Sequence, residues 1–239
     1  MRRLLLLALI CLPSFGAVAH VKAQGTTAST TGNSKTFSYT AAAAGDGVIF
    51  LMGCAGVSET TTTLTATGWT ITKVAGPFGA SATTGFTTSF MAYAPNTSAT
   101  TFTVTWNNGC GSFFSFLIDE FSGVDATNFV DAISSSSTGT SGGCTATVTP
   151  VTSNDMIWSG CLDSITAAGS GYTKGADDSA QDWTEFKLLS GGAGVAQTAV
   201  FVPSSGTSFN AQAIAIKPAG GGPPASSTCT LTLLGAGPC

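Results

Sequence analysis

Thr101-Phe102-Thr103-Val104-Thr105-Trp106 alternates without a break between hydroxyl-bearing and apolar side chains. A period of two puts Phe102, Val104 and Trp106 on one face of an extended chain and three threonines on the other. This is the pattern of an antiparallel strand with one face in a core and the other in water. Residues 48–52 (Val-Ile-Phe-Leu-Met) and 113–118 (Phe-Phe-Ser-Phe-Leu-Ile) are nearly continuous apolar runs. Their β-branched and aromatic content and their glycine boundaries predict central strands buried on both faces. Clusters of Gly, Asn, Asp, Ser and Pro punctuate the chain at short intervals, and no stretch of about ten residues follows the helical period.

Composition agrees with an all-β chain and excludes other classes. Of 239 residues, 43% are apolar, only 8% are charged, and 30 are glycine. Thr (38) and Ser (27) together exceed a quarter of the chain. Charge is too sparse for a nucleic-acid binder, and the 15 phenylalanines and long apolar runs exclude intrinsic disorder.

Arg2 and Arg3 precede the apolar stretch 4–12, followed by Pro13 and small residues. This is the layout of a secretory leader, shorter than the roughly 20 apolar residues of a membrane span. Ala17-Val18-Ala19 and Val21-Lys22-Ala23 are both cleavage candidates, and residues 1–23 are assigned to the leader. The exported chain then lacks arginine, and its lysines (35, 73, 174, 187 and 217) face twelve carboxylates. His20 leaves or becomes the first residue, so no histidine is expected inside the body for a triad or a metal site. Six cysteines remain: Cys54, Cys110, Cys144, Cys161, Cys229 and Cys239. An even number in an exported chain predicts disulfides and a secreted or cell-surface location in an oxidising compartment.

An internal repeat is visible. Gly45-Asp-Gly-Val-Ile-Phe-Leu-Met-Gly-Cys54 aligns with Ser153-Asn-Asp-Met-Ile-Trp-Ser-Gly-Cys161, Gly68-Trp69-Thr70 with Gly171-Tyr172-Thr173, and 113–121 with 209–217. The halves, about 35–124 and 144–217, predict a two-sheet antiparallel jelly-roll sandwich with equivalent strands side by side. On that arrangement Cys54 meets Cys161, Cys110 and Cys144 flank the connection, and Cys229 pairs locally with Cys239. The sandwich is expected over 24–218, followed by a Gly/Pro/Ser linker at 219–227. Residues 228–239 return to alternation, with Leu231 and Leu233 opposite Thr230 and Thr232. Such a strand either docks on its own sheet edge, is given to a neighbouring subunit, or forms a disulfide loop.

Gly45-Asp-Gly-Val-Ile-Phe50, Tyr93-Ala-Pro-Asn96, Asp119-Glu-Phe-Ser-Gly-Val124 and Asn154-Asp-Met-Ile-Trp158 resemble secreted bacterial β-sandwich domains of the jelly-roll, carbohydrate-binding or lectin-like kind. The resemblance covers about 30–218, excludes the tail, and carries no catalytic residue. It implies a sandwich fold and a binding role.

Candidate chemistry is limited. Asp119 and Glu120, adjacent on a strand, point to opposite faces. Residues 177–185 hold four of the twelve carboxylates. Asp177, Asp178 and Asp182 are candidate calcium ligands, and a solvated acidic loop is the plainer reading. Trp106 and Trp158 lie on core faces. Trp69, Tyr172 and Trp183 fall near strand ends and are candidate platforms for sugar rings, with Asp182 accepting hydroxyl hydrogen bonds. The threonine- and serine-rich stretches either offer a flat hydroxyl surface or are the neutral outer face of strands. No other cofactor is expected. These features predict a non-enzymatic glycan- or polymer-binding protein. A structural subunit self-associating through 228–239 is the alternative, and a carboxylate-dependent hydrolase ranks third.

Overall fold

The computed structural model describes residues 16–29, 32–54, 61–81, 85–108, 110, 113–134, 137–139, 144–162, 164–203 and 209–220. Among them are seventeen strands and no helix. The first half runs β1 (Ala19–Ser29), β2 (Ser34–Tyr39), β3 (Gly47–Cys54), β4 (Thr62–Ala66), β5 (Ile71–Ser81), β6 (Gly85–Tyr93), β7 (Thr100–Trp106) and β8 (Phe113–Ser122). The second runs β9 (Val130–Ile133), β10 (Ser137–Gly139), β11 (Cys144–Val148), β12 (Met156–Leu162), β13 (Ile165–Ala167), β14 (Thr173–Asp177), β15 (Trp183–Leu188), β16 (Gln197–Pro203) and β17 (Phe209–Ile216).

All pairings are antiparallel, and the strands form four sheets where two were expected. The first outer sheet has the order β2-β7-β4 and the first inner sheet β1-β8-β3-β6-β5. The second inner sheet has the order β10-β17-β12-β15-β14, with β9 also on β17, and the second outer sheet is β11-β16-β13. Counted from β2 and from β11, the two sets of seven strands occupy the same places. The second strand lies between the seventh and fifth, the fourth lies beyond the fifth, and the sixth lies between the first and third.

Sequence alternation explains the layering. Strand β7 sends Phe102, Val104 and Trp106 inward, where they meet Phe50, Phe114 and Phe116 in the core of the first sandwich. Strands β3 and β8, apolar on both faces, also present Ile49, Leu51, Leu117 and Phe121 to Met156, Trp158, Ile214 and Ile216 of the second inner sheet. A third core lies under the second outer sheet, around Cys144, Ala146, Ile157, Cys161 and Phe201. The two sandwiches are thus joined inner sheet to inner sheet, and a two-faced apolar strand is what a middle layer requires. Glycine sets the closest approach. A Cβ on Gly160 would strike Leu51, and one on Gly53 would strike Leu162 and lie 2.5 Å from the Phe86 carbonyl oxygen.

This layering overturns the expected cysteine pairing. Cys54 is bonded to Cys110 (Cα–Cα 5.7 Å) and Cys144 to Cys161 (6.3 Å). Cys54 ends β3 and Cys161 lies on β12, strands of the two different inner sheets. Cys54 therefore points into the first core and Cys161 into the third, with both inner sheets between them.

The N-terminal boundary also moves. Strand β1 begins at Ala19, pairs with β8 from Ala19↔Ser122 to Ser29↔Phe113, and follows a buried Val18. Residues 19–23, assigned above to the leader, belong to the sheet. Toward the other end Pro218 is bridged to Val124. Residues 1–15 and 221–239 lie outside the described residues, and with them most of the linker expected at 219–227 and the strand and Cys229–Cys239 pair expected over 228–239.

Candidate functional site

Asp119 sits at the seam between the sandwiches with no exposed surface. One carboxylate oxygen lies 2.7 Å from His20 Nε2 and accepts the Ala176 N–H (3.1 Å), and the other accepts Trp158 Nε1–H (2.8 Å). His20 also stacks on Phe186 (centroids 4.3 Å apart). The expectation that the body holds no histidine is therefore wrong. The leader signal concealed β1, whose small and hydroxylated residues give little strand contrast. Glu120 points the other way. It accepts Tyr39 Oη–H (2.5 Å) and the Ala42 N–H (2.8 Å), which fixes the turn after β2, and burial with that carboxylate pushes the Tyr39 hydroxyl well up. Both carboxylates are engaged in holding elements together.

The acidic segment after β14 does not converge on a point. Asp177 is exposed and pairs with Lys174 (2.7 Å). Asp178 accepts the N–H groups of Ala180 (2.9 Å) and Asp182 (3.1 Å), closing its own turn, and burial raises its pKa. Asp182 is buried and accepts the Ser115 hydroxyl. Among the described residues no group of three or more His, Cys, Asp or Glu side chains is placed to hold a metal. Asp177, Asp178 and Asp182 each turn to a different partner, and Asp182 is 8% exposed.

The aromatic candidates divide. Trp69 is core: it packs edge-on against Phe102 (4.9 Å) and Phe50 (6.2 Å), and its Nε1–H reaches Thr100 (3.3 Å). Gly68, at φ +81°, turns the chain so that the indole enters the sandwich. Trp183 and Tyr172 are half-buried against the third core, each with a cation over its ring: Lys174 Nζ at 3.9 Å from Trp183 and Lys187 Nζ at 5.6 Å from Tyr172. The Tyr172 hydroxyl is buried without a partner, and burial with the Glu185 carboxylate raises its pKa to about 12. Glu185 is buried beneath the pair and accepts the Gly169 N–H (2.6 Å). These rings form a cation-capped edge in place of a bare platform.

The most regular exposed feature is the solvent face of the first outer sheet. Strand pairing aligns Ser34, Thr105 and Thr63 in one row, Thr36, Thr103 and Thr65 in the next, and Ser38 with Thr101 in a third. Rows lie about 6.7 Å apart and neighbours within a row about 4.8 Å. Every outward side chain in this grid is a hydroxyl. Thr63 and Thr105 bond to each other (2.5 Å), and Thr65 bonds to the Thr103 carbonyl (3.4 Å). A shallow depression of about 300 Å³ lies among Thr65, Ala66, Thr67, Thr101 and Thr103. The matching face of the second outer sheet breaks the pattern with exposed Val200 and Val202. Strict alternation at 101–106 was the sequence signal for the grid, but its rows depend on register, which sequence did not fix.

No helix among the described residues is long and apolar enough to cross a membrane. The chain is similar to no family model, curated protein or solved structure against which it was compared.

Proposed function

We propose that this is an exported, non-enzymatic protein that binds a neutral, hydroxyl-rich polymer, a glycan above all, on the first outer sheet. The observation that carries the reading is the three-row Ser/Thr grid, eight hydroxyls in register with no charged side chain pointing outward from those positions. A hydroxyl can both donate and accept hydrogen bonds, which matches the mixed character of sugar hydroxyls. A hydrogen-bonded sheet presents them with little ordering cost on binding. Disulfides in both halves support export to an oxidising compartment. We read the recurrent strand order as duplication of one jelly-roll-like sandwich. The two sandwiches differ in that the first carries the hydroxyl face and the second exposes Val200 and Val202.

The test is binding of the full-length exported protein to a broad glycan array, beside Thr101→Glu/Thr103→Glu and Trp183→Ala. The reading expects at least a tenfold loss with the double glutamate variant and unchanged binding with Trp183→Ala. The reverse result would move the site to the cation-capped edge, and no binding to any glycan would remove the function.

A further inference from the structure

The two seams along which the inner sheets meet are not alike. On one side β1 lies against β14, with Gly25 placed so that a Cβ would run into the Asp177 carbonyl group. That seam is shut. On the other side β5 and β9 flank an open groove of about 400 Å³, lined among others by Lys73, Val74, Met91, Val130, Asp131 and Ile133. Its floor is apolar, because Val74, Met91 and Val130 pack on the core between the inner sheets, and Ile133 is 43% exposed. Two charged residues line the groove, and they differ. Asp131 is engaged: its Oδ2 accepts the N–H groups of Val151 and, at 2.9 Å, Thr152. Lys73 is exposed and makes no ion pair among the described residues. The other described lysines are held. Lys22 reaches the Thr40 carbonyl, Lys174 meets Asp177, Lys187 lies over the Tyr172 ring, and Lys217 stands 3.6 Å from Asp125. Lys35 has a partner as well.

We propose that this groove binds a small amphiphilic carboxylate, with the apolar chain on the floor and the head paired with Lys73 Nζ. A concavity of this size, mostly apolar with a single convergent charge, has the makeup of a small-molecule site. Covering Val74, Met91, Val130 and Ile133 with a hydrocarbon chain removes apolar surface from water on both partners. The uncommitted ammonium then fixes which end of the ligand lies where, through a charge-assisted hydrogen bond to the carboxylate. Residues 130–133 run about 10 Å along β9, the reach of about eight extended carbons. A sugar would set hydroxyls on the apolar floor and leave the ammonium without a counter-charge. A cationic chain would bring like charges together. The groove lies between the inner sheets and the hydroxyl grid on an outer one, so this inference is independent of polymer binding.

The test titrates the full-length protein with octanoate, octyltrimethylammonium and acetate, following the methyl resonances of Met91, Val130 and Ile133. Octanoate is expected to shift these three and to bind at least tenfold more tightly than either of the other probes. Lys73→Glu alters an exposed side chain and is expected to reverse the preference, weakening octanoate at least tenfold and strengthening octyltrimethylammonium. Ile133→Ser, also at an exposed position, is expected to weaken both chains and leave the remaining amide spectrum unchanged. No shift with octanoate, shifts confined to other residues, or an octanoate affinity indifferent to Lys73→Glu overturns the proposal. So does a dimer in light scattering that protects these methyls, which would give the groove to a second copy.

Discussion

Trp158 donates its indole N–H to Asp119 across 2.8 Å, and with that bond a residue of the second sandwich reaches into the first. The contact lies in a buried seam, where an unmet polar group is costly. Removing the carboxylate in Asp119→Ala leaves the indole N–H without an acceptor and weakens the hold on His20 and Ala176. We expect a loss of about 3 kcal/mol in denaturant-measured stability, against about 1–2 kcal/mol for Trp158→Phe, which keeps most of the packing. Equal effects of the two variants would show that packing alone matters here.

The shut seam depends on Gly25. Any side chain there meets the Asp177 backbone and lies 2.9 Å from Leu117 Cδ2. Gly25→Val should detach β1 from the second sandwich at a cost of about 1–3 kcal/mol. Faster amide exchange over 19–29 with the remaining strands unchanged is the expected signature.

Disulfide mapping separates this arrangement from a single two-sheet sandwich. Non-reducing digestion should yield Cys54–Cys110 and Cys144–Cys161 peptides and no Cys54–Cys161 peptide. In the chain-entropy description the 56-residue separation contributes about 4 kcal/mol and the 17-residue one about 3. Reduction should lower the melting temperature in two increments, each removed by Cys110→Ser or Cys144→Ser.

Two buried acids set a pH dependence. Burial, with the Asp131 carboxylate nearby, raises Asp155 from 3.8 to about 7, and burial beside Glu120 raises Asp46 from 3.8 to about 6. Between 3.8 and those values the folded protein keeps protons that the unfolded chain releases, so stability falls as pH rises through this window and levels off above about 7. Asp125 acts oppositely: hydrogen bonds from Asn128 and Thr127 hold its pKa down, and its contribution is lost only below the ordinary value of 3.8. Melting temperature should therefore decline from pH 4–5 to pH 7, and Asp155→Asn should flatten most of that decline. A melting temperature that climbs over the same range in the native protein would contradict this assignment.

Much of the architecture was legible from side-chain period. The alternation at 101–106 and the two-faced apolar runs at 48–52 and 113–118 specify an outer strand and two middle-layer strands, and that is where they stand. Trp106 and Trp158 are buried as their strand patterns required. What pattern could not supply was which layers meet. Cys54 and Cys161 look like partners because each follows an apolar run and a glycine, yet they face different cores with two sheets between them. Trp69 follows a turn glycine, a position that reads as exposed, and only the tertiary fold shows the indole turned inward. Asp119 lies 99 residues from His20 and 39 from Trp158, so no local signal connects them.

The most direct test of the account is the affinity of full-length protein for an array-selected glycan, measured across salt concentrations and with Thr101→Glu/Thr103→Glu. A neutral hydroxyl face predicts affinity nearly unchanged up to about 1 M salt, where charges are screened beyond about 3 Å, and at least a tenfold loss in the glutamate variant. Binding that collapses with salt and ignores the glutamates would contradict it, placing recognition on the charged edge at Lys174 and Trp183.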